Sequence, residues 1–248
     1  MDIEGNWKRV KTHRARLTDE EIRGIAETLF RGQEEWLEEK LRFREDSLLA
    51  IEFLGYMGKG GSGKASDILL KLLEAGEEVL QIAAAEALKI CRPELIIEAL
   101  AQMMMKQNQG SVKAGEIISS FGPDGADVLR WLWFNESAPV GLKSQILQLL
   151  AESEDHQLEA LAFLALVSDE EELIRPALKA AERIAAKELW GNVAECLANP
   201  SWLVRGRAVR ILGQWREKRA LRYIWEMGVD PDSWVEEERQ NALIMLTD

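Results

Sequence analysis

Five basic side chains in the C-terminal third of this 248-residue chain have the spacing to hold an anion: Arg175, Lys179 and Arg183, then Arg207 and Arg210. Residues four apart share one face of a helix with 3.6 residues per turn, so the first three form a stripe. Arg207 and Arg210 fall on or beside the same stripe of a second helix, and packed helices lie ~9 Å apart. The five would then form one patch suited to an acidic segment of a partner protein. The competing reading is ordinary solvated helix charge, partly paired with neighbours such as Glu182.

A second constellation, Gly58-Lys59-Gly60-Gly61-Ser62-Gly63-Lys64, fits the pattern G-x-x-x-x-G-K. In a phosphate-binding loop the glycine amides cradle phosphates, the lysine reaches them, and a following Ser or Thr holds magnesium. Here position 65 is Ala, and Ser66 comes one place late. The motif also requires a preceding strand, whereas residues 47–57 have helical spacing. These departures favour a glycine-rich connection between two helices. Other chemistry has little material. His13 lies in the N-terminal tail and His156 stands alone, so neither a zinc pattern nor a Ser-His-Asp triad assembles. No metal or cofactor is expected. Carboxylate runs such as Glu34-Glu35 and Glu236-Glu237-Glu238 read as solvated helix faces.

Charge narrows the choice of partner. Lys and Arg number 31 against 43 Asp and Glu, a net charge of −12. General nucleic-acid binding, which rests on basic contacts to phosphates, is therefore disfavoured. Two cysteines are too few for a disulfide framework, and Cys196, at an apolar helix position, reads as a buried thiol of a reducing compartment. No apolar run reaches the ~18 residues of a membrane span, and no signal-type segment opens the chain. The expectation is a soluble, cytoplasmic protein.

The element that positions these residues is a repeat. In Pro200–Gly213 the apolar residues Val204, Ala208, Ile211 and Leu212 sit at offsets 0, +4, +7 and +8, one face of a helix. The pattern recurs at a fixed step of 31 residues, with first positions Leu49, Leu80, Ser111, Leu142, Leu173, Val204 and Val235. Seven copies in register make a repeat protein, expected as one elongated domain whose units pack only against their neighbours. Each unit divides into a shorter helix A and a helix B. The A-helix core pairs lie ten and eleven residues before each reference position: Leu69/Leu70, Leu100/Ala101, Trp131/Leu132, Ala162/Phe163, Val193/Ala194 and Ile224/Trp225. Trp131 and Trp225 are thereby expected in the core. Trp202 and Trp234, near the starts of their B-helices, would pack the turns or form an aromatic ledge.

The two ends depart from the pattern. The first A-helix carries Glu38 and Glu39 where the core pair would stand, with Trp36, Leu37 and Leu41 as its apolar face. The last B-helix has Arg239 at the +4 position, amid polar residues. Ends with no stacked neighbour need that polarity. Residues 1–17 are polar and basic, expected as a loosely ordered terminus. Lys8, Arg9, Lys11, Arg14 and Arg16 offer the one route to an anionic membrane surface. Thr18-Asp19-Glu20-Glu21 is a capping box, opening an N-terminal capping helix within 18–32 that Gly32 ends. The repeat region then fills the rest of 18–248. A second capping box at Ser168-Asp169-Glu170-Glu171 would start a helix near 169 that contains Pro176.

Paired helices, Trp202-Leu203-Val204-Arg205 opening a B-helix, then Ala208 and Leu212-Gly213, resemble the HEAT-repeat family, in its short bacterial HEAT-like form. Asp232-Ser233-Trp234-Val235 with Ala242-Leu243 repeats the signature, with Glu236 in place of the arginine. The resemblance covers about residues 33–247 and is sharpest in the last two units. It implies an all-α, right-handed α-solenoid of about seven helix pairs. It also implies that Arg205 is structural, pairing with acidic residues of an adjacent inter-helix turn. For function it implies a non-enzymatic protein-interaction scaffold that binds a partner along the B-helix face. The alternative is a HEAT-like enzyme, of the DNA-base glycosylase or bilin lyase kind.

Overall fold

The computed structural model describes residues 2–107, 110–153, 155, 157–168 and 170–247. Among these, regular structure is helical throughout and no strand occurs. The chain forms two compact units, Met1–Leu132 and Trp133–Asp248.

The first unit opens with α1 (Ile3–His13) and α2 (Asp19–Leu29). Three A/B pairs follow: α3 (Glu34–Lys40) with α4 (Ser47–Lys59), α5 (Gly63–Ala75) with α6 (Glu78–Lys89), and α7 (Pro93–Lys106) with α8 (Ser111–Ser119). Helix α9 (Pro123–Trp133) takes the next A position in sequence. Within the unit the B-helices α4, α6 and α8 pack in series, as do the A-helices α3, α5 and α7.

The second unit begins with the B-helix α10 (Val140–Glu152). Its pairs are α11 (Leu158–Leu166) with α12 (Glu171–Arg183), α13 (Trp190–Glu195) with α14 (Trp202–Gln214), and α15 (Leu221–Glu226) with α16 (Ser233–Thr247). Helices α10, α12, α14 and α16 pack in series. The A-helices α13 and α15 have only six residues each; a 3-10 turn extends α13 at both ends and α15 at its start.

Register explains the packing. The +4 position of every B-helix is buried: Phe53, Ala84, Gly115, Ile146, Ala177, Ala208 and Arg239. Four of the seven are Ala or Gly, which lets neighbouring helices approach closely. Arg239 is no exposed end-face residue, contrary to the expectation for a terminal helix. It is 9% exposed, and its guanidinium grips Glu236 through two bonds of 2.8 Å. A charge can lie there because its partner, one turn away, travels with it.

The N-terminal segment also differs from expectation. Trp7 of α1 is 2% exposed and meets Phe30, Trp36 and Phe53 edge-on, with ring centroids 5.4–5.8 Å apart. Its indole N–H donates to Asp46 (3.2 Å), which also accepts from Lys11 (2.7 Å), while Arg14 pairs with Glu52. Two of the five basic residues, Lys11 of α1 and Arg14 just after it, thus fasten the N-terminal segment to the first pair rather than facing a membrane. The segment reads as polar because only Trp7 and Val10 of α1 are buried. Helix α2 behaves as expected: Thr18 and Glu21 form the reciprocal capping box, and Gly32 follows at φ +76°.

Four further expectations are corrected. Trp131 and Trp225 are both 63% exposed. In α9 the buried positions 125, 129, 132 and 133 come two residues short of the 31-residue step from 96, 100, 103 and 104 of α7. That shift turns Trp131 outward and Trp133 inward. The second member of each pair stands at the flank of the A-helix, where Leu70, Ala101 and Ala194 are covered but the large rings of Phe163 (42% exposed) and Trp225 are left outside, beside the buried Ala162 and Ile224. Of the second capping box, Asp169 lies outside the described residues. Helix α12 starts at Glu171, and Glu170 stands at its N-cap without a side-chain cap bond. The Ser168 hydroxyl instead accepts from the Glu170 N–H at 3.3 Å. Pro176 does lie inside this helix.

Candidate binding cleft

Repeat geometry places the basic stripe. Arg175 and Lys179 occupy the +2 and +6 offsets of α12, and Ser144 and Gln148 hold the same offsets in α10. Together they line an open cleft of about 630 Å³ in the second unit, which Arg207 of α14 joins. The N-cap residue Ser201 and the ring of Pro176 complete its wall, while Glu171 and Glu172 stand at the first turn of α12. Carboxylates suit that position, because a helix N-terminus carries partial positive charge.

Arg175 and Arg207 also border a smaller hollow of about 260 Å³, which Arg210 and Trp234 line as well. Four of the five predicted cations therefore come together on two adjoining depressions, and Arg183, the last residue of α12, lines neither. Glu182 sits between Arg207 (3.6 Å) and Arg210 (3.3 Å) and offsets part of their charge. Arg210 Nε is buried with no hydrogen-bond partner among the described residues. Burial raises the Glu238 carboxyl above its ordinary value, with Arg210 opposing the effect. Arg175 and Lys179 are exposed and make no ion pair or hydrogen bond among the described residues. Ser144 and Gln148 were not identified from sequence. Stepping the stripe back by one repeat from Arg175 and Lys179 would have found them.

The edge of this region is aromatic. Trp202 and Trp234 pair edge-to-face at 5.7 Å and 82°. The Trp234 ring lies so close over Gly206 that a Cβ there would come within 2.0 Å of it. The glycine is required by close approach, and the two tryptophans serve the contact between successive B-helices.

Arg205 is structural. Its Nε and Nη2 donate to the Asp230 carboxylate at 2.7 and 2.8 Å, while Nη1 donates to the carbonyls of Asn199 and Pro200 at 3.0 and 2.9 Å. Asp230 lies in the turn before α16, so the arginine ties the sixth pair to the seventh.

The glycine motif is a helix junction. It follows α4 rather than a strand, and Ser62 caps α5 by accepting from the Ala65 N–H at 3.3 Å. Gly61 takes φ +100°, and the next residue's N–H reaches back to the Met57 carbonyl (2.9 Å). Ala185 (φ +50°) and Arg216 (φ +52°) stand at the equivalent repeat position and close α12 and α14 with the same backward bond, from Ala186 to Ala181 and from Glu217 to Leu212. This is the left-handed ending common at helix C-termini. Lys64 pairs with Glu35 at 3.4 Å.

Elsewhere, burial pushes both cysteine thiols up to about 11, so they are protonated at neutral pH. Among the described residues no group of His, Cys, Asp and Glu is arranged to hold a metal, and no helix is long and apolar enough to cross a membrane.

The fold defines the class: an all-helical repeat protein of A/B helix pairs. The chain matches no family model and no curated protein. It is similar to solved helical-repeat structures. One is a HEAT-like repeat protein from Thermococcus onnurineus, at 13% identity over 93% of this chain and 97% of that one, with a TM-score of 0.48. Others are an engineered protein (19% identity, 93% of this chain and 71% of that one, TM-score 0.46) and human deoxyhypusine hydroxylase (19%, 95% and 99%, TM-score 0.40).

Proposed function

We propose that this protein is a non-enzymatic interaction scaffold whose second unit receives an acidic segment of a partner protein on the B-helix face. One observation carries the reading. Arg175 and Lys179 stand unpaired on the wall of a cleft that Arg207 also enters, in a chain of net charge −12. Screening limits the reach of the remaining charge to about 8 Å at physiological salt, so local basic density decides the encounter. Glu171 and Glu172 at one end would set the direction in which an acidic strand or helix lies.

The test compares capture by the wild type and by the Arg175→Glu/Lys179→Glu/Arg207→Glu variant, after circular dichroism confirms equal helicity. A captured protein is then purified and its affinity measured against salt. The expected result is a loss of about tenfold or more for the triple variant, with affinity falling as salt rises. An unchanged dissociation constant would return these residues to ordinary solvated surface.

A further inference from the structure

We propose that the first unit carries a separate anion site, built for a small phosphate-class polyanion, at the turn between α4 and α5. It rests on residues independent of the cleft described above. Four cations converge there from different parts of the chain: Arg23 in α2, Arg31 just beyond it, Lys59 at the end of α4, and Arg92 at the N-cap of α7. They line an open cleft of about 580 Å³ together with Gly60 and Gly61. That volume falls within the range of about 300–1,000 Å³ seen for small-molecule pockets.

The two carboxylates in the wall are already engaged. Glu27 accepts from Arg23 Nε at 2.8 Å, and Glu34 accepts from the Ser62 hydroxyl at 2.8 Å. Arg31 and Lys59 make no ion pair or side-chain hydrogen bond among the described residues. Arg92 is held in place, donating from Nε to the Lys59 carbonyl at 3.2 Å and from Nη2 to that of Gly60 at 3.5 Å. A Cβ on Gly61 would stand 3.3 Å from the Arg92 guanidinium carbon, so this glycine serves both the helix ending and the placement of the arginine. A guanidinium fixed before binding loses little freedom on binding. Two free cations beside it exceed what one carboxylate can satisfy, whereas an oxyanion bearing two or more charges accepts from several N–H donors at once. The site is not a magnesium-nucleotide loop, because the motif's Lys64 pairs with Glu35 and does not line the cleft.

The probe is pyrophosphate, titrated calorimetrically into the full chain with ionic strength held constant by chloride. One saturable site is expected. Arg31→Ala/Lys59→Ala should weaken it about tenfold or more, since each variant side chain removes a charged donor. Lys64→Ala and Arg175→Ala/Lys179→Ala should each leave it within about twofold, and all variants should keep wild-type helicity. Three results would overturn the proposal: no saturation up to about 10 mM, binding kept in the Arg31/Lys59 variant, or binding lost in the Arg175/Lys179 variant. Equally tight binding of sulfate would overturn the phosphate-class assignment.

Discussion

Arg205→Ala is the substitution whose cost follows most directly from the structure. It removes four hydrogen bonds, two to the Asp230 carboxylate and two to backbone carbonyls. It leaves Asp230, whose side chain is 4% exposed, with the Asp232 N–H (2.9 Å) as its remaining partner. Removing one member of a buried pair costs about 3–5 kcal/mol, because the other charge is stranded. Arg205 itself keeps 15% exposure, so the lower end applies, ~3 kcal/mol. Asp230→Asn should cost less, ~1–2 kcal/mol, since Arg205 retains its two carbonyls and an amide oxygen. Arg205→Met/Asp230→Leu, which strands no charge, should be milder than Arg205→Ala alone. The assay is urea unfolding followed by far-UV circular dichroism.

The pH dependence has a definite sign. Hydrogen bonds from Arg205 hold the Asp230 carboxyl below the usual carboxylate value. Its stabilisation is therefore present above the unfolded value of about 3.9 and is lost as pH falls through the lower folded value. The cost of Arg205→Ala should shrink correspondingly below about pH 4. A cost within about 0.5 kcal/mol of zero at neutral pH, or Asp230→Asn costing more than Arg205→Ala, would refute the reasoning.

Other changes test other parts of the fold. Ala185→Gly and Arg216→Gly should each stabilise by about 0.5–1 kcal/mol, a thermal shift of a few degrees upward, because both residues hold a left-handed conformation that glycine adopts freely. Gly206→Ala should cost about 1–3 kcal/mol in denaturant unfolding by displacing the Trp234 ring, and the cost should fall when Trp234→Leu is already present. Trp7→Ala should cost about 3–5 kcal/mol and diminish the near-UV circular dichroism of the aromatic cluster. Hydrogen bonds from Arg239 and then Gln240 hold Glu236 at about 2. Its contribution is present above the unfolded value of about 4.3 and declines as pH falls toward the folded one, so Glu236→Gln should flatten acid unfolding in that window.

Periodicity was enough to read the helix pairs, because the face a residue occupies follows in the main from its offset. Val204, Ala208, Ile211 and Leu212 are all buried as their spacing requires, and the +4 site is covered in every unit. Local chemistry was equally legible in the Thr18–Glu21 box, whose bonds lie within one turn. Periodicity does not say which neighbour covers a face or where a helix slips in register. Trp131 and Trp133 exchange places through a two-residue shift of α9. Trp7 is buried only because Phe30, Trp36 and Phe53 come together from three other helices or their ends. The two clefts divide in the same way. Arg175 and Lys179 are four residues apart on one helix, so their shared face could be read from the chain. Arg23, Arg31, Lys59 and Arg92 meet only because the packing of α2 on α4 and of α5 on α7 brings separate stretches to one turn, and long-range packing of that kind leaves no mark in local spacing.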